Sequence, residues 1–317
     1  MIKKILALHT GGTISMQADA TGAVVTNSAN PMNHIDLSLA GIELTSEDFF
    51  NLPSPHVTPQ HMLQLYHKIQ KEASQYDGIV ITHGTDTLEE TAYFLDTMDL
   101  PTISVVLTGA MRSSNELGSD GVYNYLTAIR VAADPKSQDK GVLVVMNDEV
   151  HTATYVTKTH TTNVATFQTP TFGPLGLVSK SEVIYFQRLL KQEYYPIEEV
   201  QTGVYLLKAY AGMDGLLLDA ICEHHAKGVV IESLGAGNLP PSTLPALQRC
   251  LEAGIPVVLV SRAFNGVTYD VYDYLGGGKQ LRQSGVIFTT GLSGQKARMK
   301  LSVLLSSGKS IEEIEKM

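Results

Sequence analysis

The stretch "LALHTGGTISM", residues 6–16, ends an apolar run at two glycines and a threonine. Residues 5–9 have the length and composition of a buried strand, and the glycines allow the backbone to turn tightly and approach a ligand closely. Thr13 is then left unshielded, beside backbone N–H groups that can face an anion or a developing oxyanion. A plain strand-to-turn junction also accounts for these residues, so this stretch alone leaves both interpretations open.

Short β-rich runs alternate with helical patterns along the rest of the chain. The alternation predicts an α/β fold in which mainly parallel sheets are flanked by helices. The other predicted strands are 78–83, 103–108, 141–146, 228–233, 256–261 and 286–288. The predicted helices are 59–74, 88–98, 119–133, 216–226, 243–253 and 294–305.

The length of 317 residues exceeds what one hydrophobic core usually serves, so two domains are expected. The polar stretch "QRLLKQEYYPIEEVQTG" breaks the alternation and is typical of a linker. We therefore predict a larger N-terminal α/β domain over 1–187, a linker over 188–203 and a smaller C-terminal α/β domain over 204–317. The threonine-rich residues 147–180 favour hairpins or irregular strands over helix.

Composition excludes several classes of function. The net charge is −9 and no lysine or arginine block occurs, which argues against a nucleic-acid partner. The opening "MIKKILAL" is too short for a secretory signal, and no run approaches the roughly 20 apolar residues of a membrane span. We predict a soluble, cytoplasmic protein. No spacing typical of a metal site occurs, and Cys222 and Cys250 are expected to be unpaired residues of predicted helices.

In open parallel sheets, ligands bind at the carboxyl ends of the strands. The stretch "GIVITHGTDTLEET", residues 78–91, places Thr85 and Asp86 at such an end. Helix capping by Asp86 or Thr87, with Glu89 or Glu90 as the partner acid, would explain one of these residues but not both Thr85 and Asp86. After the next strand, Arg112 in "TGAMRSSNELGSDG" is interpreted as a structural anchor of its loop.

Lys158 in "YVTKTHTTN" is the only cation in a run of threonines. A lysine on a strand normally extends into solvent, but among hydroxyls and near a carboxylate it can relay a proton. A threonine hydroxyl is a poor nucleophile that needs a neighbouring base. Lys158, oriented by Asp86 and linked through Thr85, is the only base in the predicted set. Together with Thr13 these groups predict acyl transfer.

Two of these stretches resemble the signature motifs of the bacterial-type L-asparaginase family, namely "HTGGTIS" and "GIVITHGTDTLEET". Further segments are similar to family segments in the same order: "LTGAMRSSNELGSDG", "YVTKTHTTNVATF", "ESLGAGNLP" and "GLSGQKARMKL". The resemblance covers nearly the whole chain. It implies hydrolysis of L-asparagine to L-aspartate and ammonia, without a cofactor or a metal.

The resemblance also implies a role for individual residues. Thr13 matches the family's nucleophile, and Thr85, Asp86 and Lys158 match its second threonine, aspartate and lysine. Ser54 would hold the α-carboxylate of the substrate, and Asp86 its α-ammonium group. Spacing does not decide which threonine attacks; we predict Thr13, because a Gly-Gly-Thr loop can close over a substrate.

Two more matches concern the substrate amide and the assembly. Ala110 matches the position whose backbone carbonyl faces the side-chain amide, and Asn238 matches a residue that reaches into the site of a neighbouring subunit. The resemblance therefore implies a homodimer or homotetramer with sites at subunit interfaces. Many members carry a tyrosine on the first flexible loop. Residues 16–27 contain none, so another tyrosine or water would take its place.

Two alternatives remain open at this point. One is a glutaminase-asparaginase of broader specificity, since one methylene in a pocket discriminates only about 10- to 200-fold. The other is a non-catalytic amino-acid-binding protein on the same scaffold, which could dispense with the lysine or a threonine.

Overall fold

The computed structural model describes residues 2–27, 30–34, 39–180, 182–190, 193–289 and 291–315. The chain divides into two compact units, residues 1–194 and 195–317. Each unit contains a sheet flanked by helices, and the N-terminal unit is the larger. The predicted two-domain α/β class is therefore confirmed.

The N-terminal unit is built on an eight-stranded mixed sheet with the order β12-β11-β8-β7-β6-β5-β1-β4. The neighbouring strands β4, β1, β5, β6 and β7 pair in parallel. The strands β8, β11 and β12 extend the sheet through antiparallel pairs. Two further strand pairs, β2–β3 and β9–β10, form separate hairpins. The strands are β1 (Lys3–His9), β2 (Met16–Ala18), β3 (Val24–Thr26), β4 (Ile42–Asp48), β5 (Gly78–Thr82), β6 (Ser104–Thr108), β7 (Val142–Met146), β8 (Glu149–Thr152), β9 (Thr157–Lys158), β10 (Phe167–Gln168), β11 (Gly176–Val178) and β12 (Val183–Tyr185). The helices are α1 (Pro59–Glu72), α2 (Leu88–Asp96) and α3 (Gly121–Ala133).

The central strands are apolar and buried along their length, as expected for parallel strands covered on both faces. Their register aligns the carboxyl ends, because His9 lies opposite Thr82 and Thr82 lies opposite Thr108. The segments that follow β1, β5 and β6 therefore start at one edge of the sheet. On one face, the core packs Tyr125 and Ile129 of α3 against the strands.

The C-terminal unit contains a parallel four-stranded sheet in the order β13-β14-β15-β16. Separate apolar clusters fill its two faces. The strands are β13 (Val204–Lys208), β14 (Gly228–Ser233), β15 (Val257–Ser261) and β16 (Ile287–Phe288). The helices are α4 (Leu216–Glu223), α5 (Leu244–Glu252), α6 (Gly278–Gln283), α7 (Gly294–Ser306) and α8 (Ile311–Ile314).

The predicted strands and helices are all present, with ends that differ by a few residues. Residues 147–180 form the short strands β8 to β11, as their threonine-rich composition indicated. The structure also contains elements that the sequence patterns did not predict, namely the strands β2, β3, β4, β12 and β13 and the short helices α6 and α8. In β4 the apolar residues alternate with polar ones, because this strand lies at the edge of the sheet.

The expectation that the two cysteines are unpaired is wrong. Cys222 and Cys250 form a disulfide, with their Cα atoms 5.6 Å apart. Helices α4 and α5, which carry the two residues, pack against each other in the C-terminal unit. This packing, and not the sequence separation of the cysteines, brings the sulfur atoms together.

Across the described residues, no helix combines the length and apolarity needed to cross a membrane. The same residues hold no cluster of three or more histidine, cysteine, aspartate or glutamate side chains arranged for a metal ion.

Two buried histidines mark the carboxyl ends of β1 and β5. His9 Nδ1 hydrogen-bonds Thr82 Oγ1 at 2.8 Å. His83 Nδ1 donates to the carbonyl of Gly84 at 2.8 Å, so its Nε2 accepts from the Thr91 hydroxyl at 3.0 Å. Burial lowers the pKa of each imidazole to about 4, although the carboxylate of Asp48 partly opposes the shift for His9. Both rings are therefore neutral at pH 7.

These depressed pKa values predict acid destabilisation. Each histidine titrates near pH 6.5 when unfolded and near pH 4 when folded, so its contribution is full above pH 6.5 and is lost as the pH falls toward 4. Each should remove about 2 kcal/mol of unfolding free energy between pH 7 and pH 5. Urea unfolding at pH 7 and at pH 5 measures how far the unfolding free energy falls. This fall should be about 2 kcal/mol smaller in His83→Asn than in the wild type. Equal falls in the two proteins would contradict a buried neutral imidazole.

Candidate active site

The loops after β1 and β5 touch through their backbones. Gly12 has φ +82°, and a Cβ there would overlap the backbone N and Cα of Gly84. Gly11 has φ +97°, and a Cβ there would overlap the backbone of Leu52. Side-chain-bearing residues rarely adopt this left-handed region. Glycine is therefore needed at both positions for two reasons: the backbone has a positive φ, and another backbone segment lies where a Cβ atom would be.

The two candidate threonines flank this contact. Thr13 follows Gly12 and Thr85 follows Gly84, so each hydroxyl-bearing residue lies one position beyond a touching glycine. Thr13 starts a single 3-10 turn, Thr13–Ser15, and is half-buried. Thr85 is buried. The loop after β1 and the loop after β5 thus bring both threonines to the carboxyl edge of the sheet.

Lys158 reaches the same edge from the β9–β10 hairpin. Its Nζ donates to Thr85 Oγ1 at 2.9 Å and to Asp86 Oδ1 at 2.7 Å. The lysine side chain is 16% exposed, whereas the Asp86 side chain is 60% exposed. An ion pair this open to water contributes at most about 1 kcal/mol to stability. Its main physical effect is to fix the amine beside the hydroxyl of Thr85.

Ser54 lies on the other side of the β5 loop. It begins the 3-10 turn Ser54–His56 and is buried. Its Oγ accepts from the backbone N–H of Asp86 at 3.2 Å, and its carbonyl accepts from Thr87 Oγ1 at 2.8 Å. A Cβ on Gly84 would meet the Ser54 side chain. Ser54 is therefore held against the segment that carries Thr85 and Asp86.

The loop after β6 borders this segment as well. A Cβ on Gly109 would lie 3.3 Å from Cγ2 of Thr85, and Ala110 follows it as a buried residue. Further along the loop, Arg112 Nη1 donates to the carbonyl of Gly118 at 2.8 Å. The guanidinium thus anchors its own loop, which confirms the structural interpretation of Arg112.

Asn238 belongs to the C-terminal unit. It lies in the turn after β14, where its backbone bridges to that of Leu234. Its side-chain Oδ1 accepts from the backbone N–H of Gly278 at 3.2 Å. The structure thus groups Thr13, Thr85, Asp86, Lys158, Ser54 and Ala110 in the N-terminal unit and places Asn238 in the C-terminal one.

The loop after β1, whose Gly-Gly-Thr stretch is predicted to close over a substrate, contains the hairpin β2–β3. Ala18 and Asn115 exchange two hydrogen bonds of 2.8 Å, which tie this hairpin to the loop after β6. Val24 and Val25 are exposed on it. Closure of this segment over a substrate stays a prediction.

The capping pattern expected at the start of α2 is not formed. Thr87 is the N-cap residue but makes no side-chain capping hydrogen bond. Glu89 is 4% exposed, and its Oε1 accepts from Thr157 Oγ1 at 3.1 Å and from the backbone N–H of Lys158 at 3.2 Å. The sequence analysis missed this link, because an acid in the first turn of a helix is usually explained by the helix itself.

Comparison with known protein families places this geometry in context. The family described as "Asparaginase, N-terminal" matches residues 4–191, and "Glutaminase/Asparaginase C-terminal domain" matches residues 203–317. The chain belongs to the asparaginase family.

Relatives that match along nearly their whole length support this membership. A probable L-asparaginase of Deinococcus radiodurans is 39% identical, over 100% of this chain and 97% of that protein. An L-asparaginase of Bacillus licheniformis is 35% identical over 98% and 97% of the two chains. A glutaminase-asparaginase of Pseudomonas fluorescens is 28% identical over 100% of this chain and 90% of that protein. The resemblance found in the sequence motifs is confirmed.

The Gly12–Gly84 contact gives a direct prediction. Gly12→Ala adds a methyl group that overlaps the Gly84 backbone, whereas Gly22→Ala, at φ +86°, places a methyl group in open space. Both variants place an alanine at a positive φ, and only the first also carries the overlap. In urea unfolding, Gly12→Ala should lose about 2 kcal/mol more than Gly22→Ala. Equal losses would show that the backbones do not touch.

Proposed function

We propose that this protein is an L-asparagine amidohydrolase that releases L-aspartate and ammonia through a threonine acyl-enzyme. The observation that carries the proposal is the contact of Lys158 Nζ with Thr85 Oγ1 at 2.9 Å, in a chain of the asparaginase family. Relatives of matching length carry the name L-asparaginase. An amine oriented by a carboxylate beside the Thr85 hydroxyl is an arrangement that moves protons, and Thr13, the proposed nucleophile, lies on the other side of the Gly12–Gly84 contact.

In the proposed reaction, Thr13 Oγ1 attacks the carbon of the side-chain amide. Backbone N–H groups of the loop stabilise the resulting oxyanion. The hydroxyl proton of Thr13 passes to the amide nitrogen, which leaves as ammonia, and an ester between Thr13 and aspartate remains. Water then attacks this ester, and the Thr85 hydroxyl, held by Lys158, relays the released proton to the departing Thr13 oxygen. Aspartate and the free Thr13 hydroxyl are the products.

The substrate would be oriented by groups at the same edge. Ser54 Oγ accepts from the Asp86 N–H, which leaves its own proton for the α-carboxylate. The exposed carboxylate of Asp86 would bind the α-ammonium group, and the carbonyl of Ala110 the amide. We further propose a homodimer or homotetramer in which Asn238 of a neighbouring subunit contributes to the site. A cytoplasmic location remains a prediction that cell fractionation tests.

The alternative supported by a specific observation is a glutaminase-asparaginase, since a relative of that name matches along the whole chain. The same threonines, lysine and aspartate would serve both amides. The two activities differ by one methylene in the pocket, which is worth about 10- to 200-fold.

Ammonia release from purified protein distinguishes these functions. We expect hydrolysis of L-asparagine, with kcat/KM at least about tenfold above that for L-glutamine. Similar values for both amides would establish the broader specificity. Binding of asparagine in calorimetry without ammonia release would contradict the enzymatic proposal and support an amino-acid-binding protein.

Substitutions in the proposed machinery test the individual roles. Thr13→Ala, Thr85→Ala and Lys158→Met should each lower kcat by about 1,000-fold or more, because each removes a group from one catalytic unit. Lys4→Met, at an exposed lysine on β1, is the matched control and should retain activity. Circular dichroism should show folded protein in every case. Near-normal turnover in any of the three variants would refute the role assigned to that residue.

A further inference from the structure

Helix α2 presents two buried carboxyl groups on one face. Glu89 and Asp96 are separated by seven residues, about two helical turns, and are 4% and 7% exposed. A buried carboxyl group is costly unless it is hydrogen-bonded. Both side chains of α2 therefore have to find donors on the elements packed against the helix.

Both carboxyl groups bind the segment that leads to Lys158. Asp96 accepts from the backbone N–H of Val142 at 2.8 Å and from the hydroxyl of Thr154 at 3.0 Å. Glu89 Oε1 accepts from the Thr157 hydroxyl and from the backbone N–H of Lys158. Residues 154–158 are thus attached to one helix at their start and at their end.

This attachment matters because the main sheet does not hold Lys158. Strand β9 has two residues, and within the described parts of the chain it pairs with β10 in a separate two-stranded sheet. The register of the eight-stranded sheet therefore does not set the distance from Lys158 to Thr85. Helix α2 begins at Leu88, three residues after Thr85, so one rigid element links both partners of the contact.

We propose that Glu89 is a positioning residue for amide hydrolysis, which holds the backbone of Lys158 where its amine reaches Thr85. The inference rests on the proposed function of Thr85 and Lys158. Asp96 fixes the beginning of the same segment. Glu89 does not touch the substrate; it acts through Lys158. Without its acceptor the Lys158 N–H is left buried and unpaired, and the strand shifts to regain a partner.

Three substitutions separate reach from charge. Glu89→Gln keeps an oxygen at the same reach and loses the carboxyl group, whereas Glu89→Asp keeps the carboxyl group and shortens it by one methylene. Glu89→Ala removes both. If Glu89 positions Lys158, kcat should decrease in the order wild type, Glu89→Gln, Glu89→Asp, Glu89→Ala. The kcat of Glu89→Ala should be about 100-fold below that of the wild type, since a displacement of about 1 Å can cost that much. KM for asparagine should stay within about threefold of the wild-type value, because Glu89 makes no contact with the substrate that would be lost.

Asp96→Asn is the matched control, at a buried carboxyl group of the same helix. Its closest link to the segment is Thr154, four residues before Lys158. We expect it to lower stability as much as Glu89→Gln does and to lower kcat by less than about tenfold. If Glu89 were merely structural, the loss of kcat would follow the loss of stability at both positions, and Glu89→Asp would have a higher kcat than Glu89→Gln.

Labelling of lysines gives a readout that does not depend on activity. Acetylation with an N-hydroxysuccinimide ester, followed by peptide mass spectrometry, measures Lys158 against the exposed Lys4 in the same molecule. In Glu89→Asp the relative labelling of Lys158 should rise about tenfold as the amine leaves Thr85 and Asp86.

Unchanged labelling and unchanged kcat in Glu89→Asp would overturn the positioning role while leaving the proposed function intact. Absence of ammonia release by the wild-type protein would instead refute the proposed function, and the labelling would still report whether Glu89 holds Lys158.

Discussion

Gly12 and Gly84 approach each other so closely that a Cβ atom on Gly12 would overlap the backbone of Gly84. Each glycine is followed by a threonine, so the contact sets the spacing of Thr13 and Thr85. Parallel pairing of β1 with β5 brings the loops to one edge of the sheet, and the absence of Cβ atoms lets them close the remaining gap. Two glycines, which carry no side chain, therefore place the proposed catalytic threonines on either side of one backbone contact.

Helix α2 supplies the second constraint. It starts directly after Thr85 and Asp86, and its buried carboxyl groups bind the segment of Lys158. The helix therefore fixes the amine relative to the hydroxyl, while Ser54 fixes the loop from the other side. Buried His83 contributes in the same region, since its neutral ring joins the Gly84 carbonyl to Thr91 of α2.

Much of this arrangement could be predicted from the sequence, for a physical reason. Parallel strands end at one edge, so the motifs after β1, β5 and β6 had to meet there. The contact of Lys158 with Thr85 could be proposed from residue chemistry, but its geometry depends on α2, which no spacing reveals. The sequence offers Glu89 or Glu90 only as the partner acid of a possible helix cap, whereas Glu89 Oε1 accepts hydrogen bonds from residues 68 and 69 positions away. The disulfide of Cys222 was missed because it depends on how α4 packs on α5.

The most direct test of the account is a crystal structure of the Lys158→Met variant with L-asparagine bound. We expect the carboxamide carbon to lie within about 3.5 Å of Thr13 Oγ1, the separation of a productive nucleophilic approach. The Thr85 hydroxyl should lie on the same side of the amide, across the Gly12–Gly84 contact. An asparagine bound at another edge of the sheet, or with its amide turned away from both threonines, would contradict it.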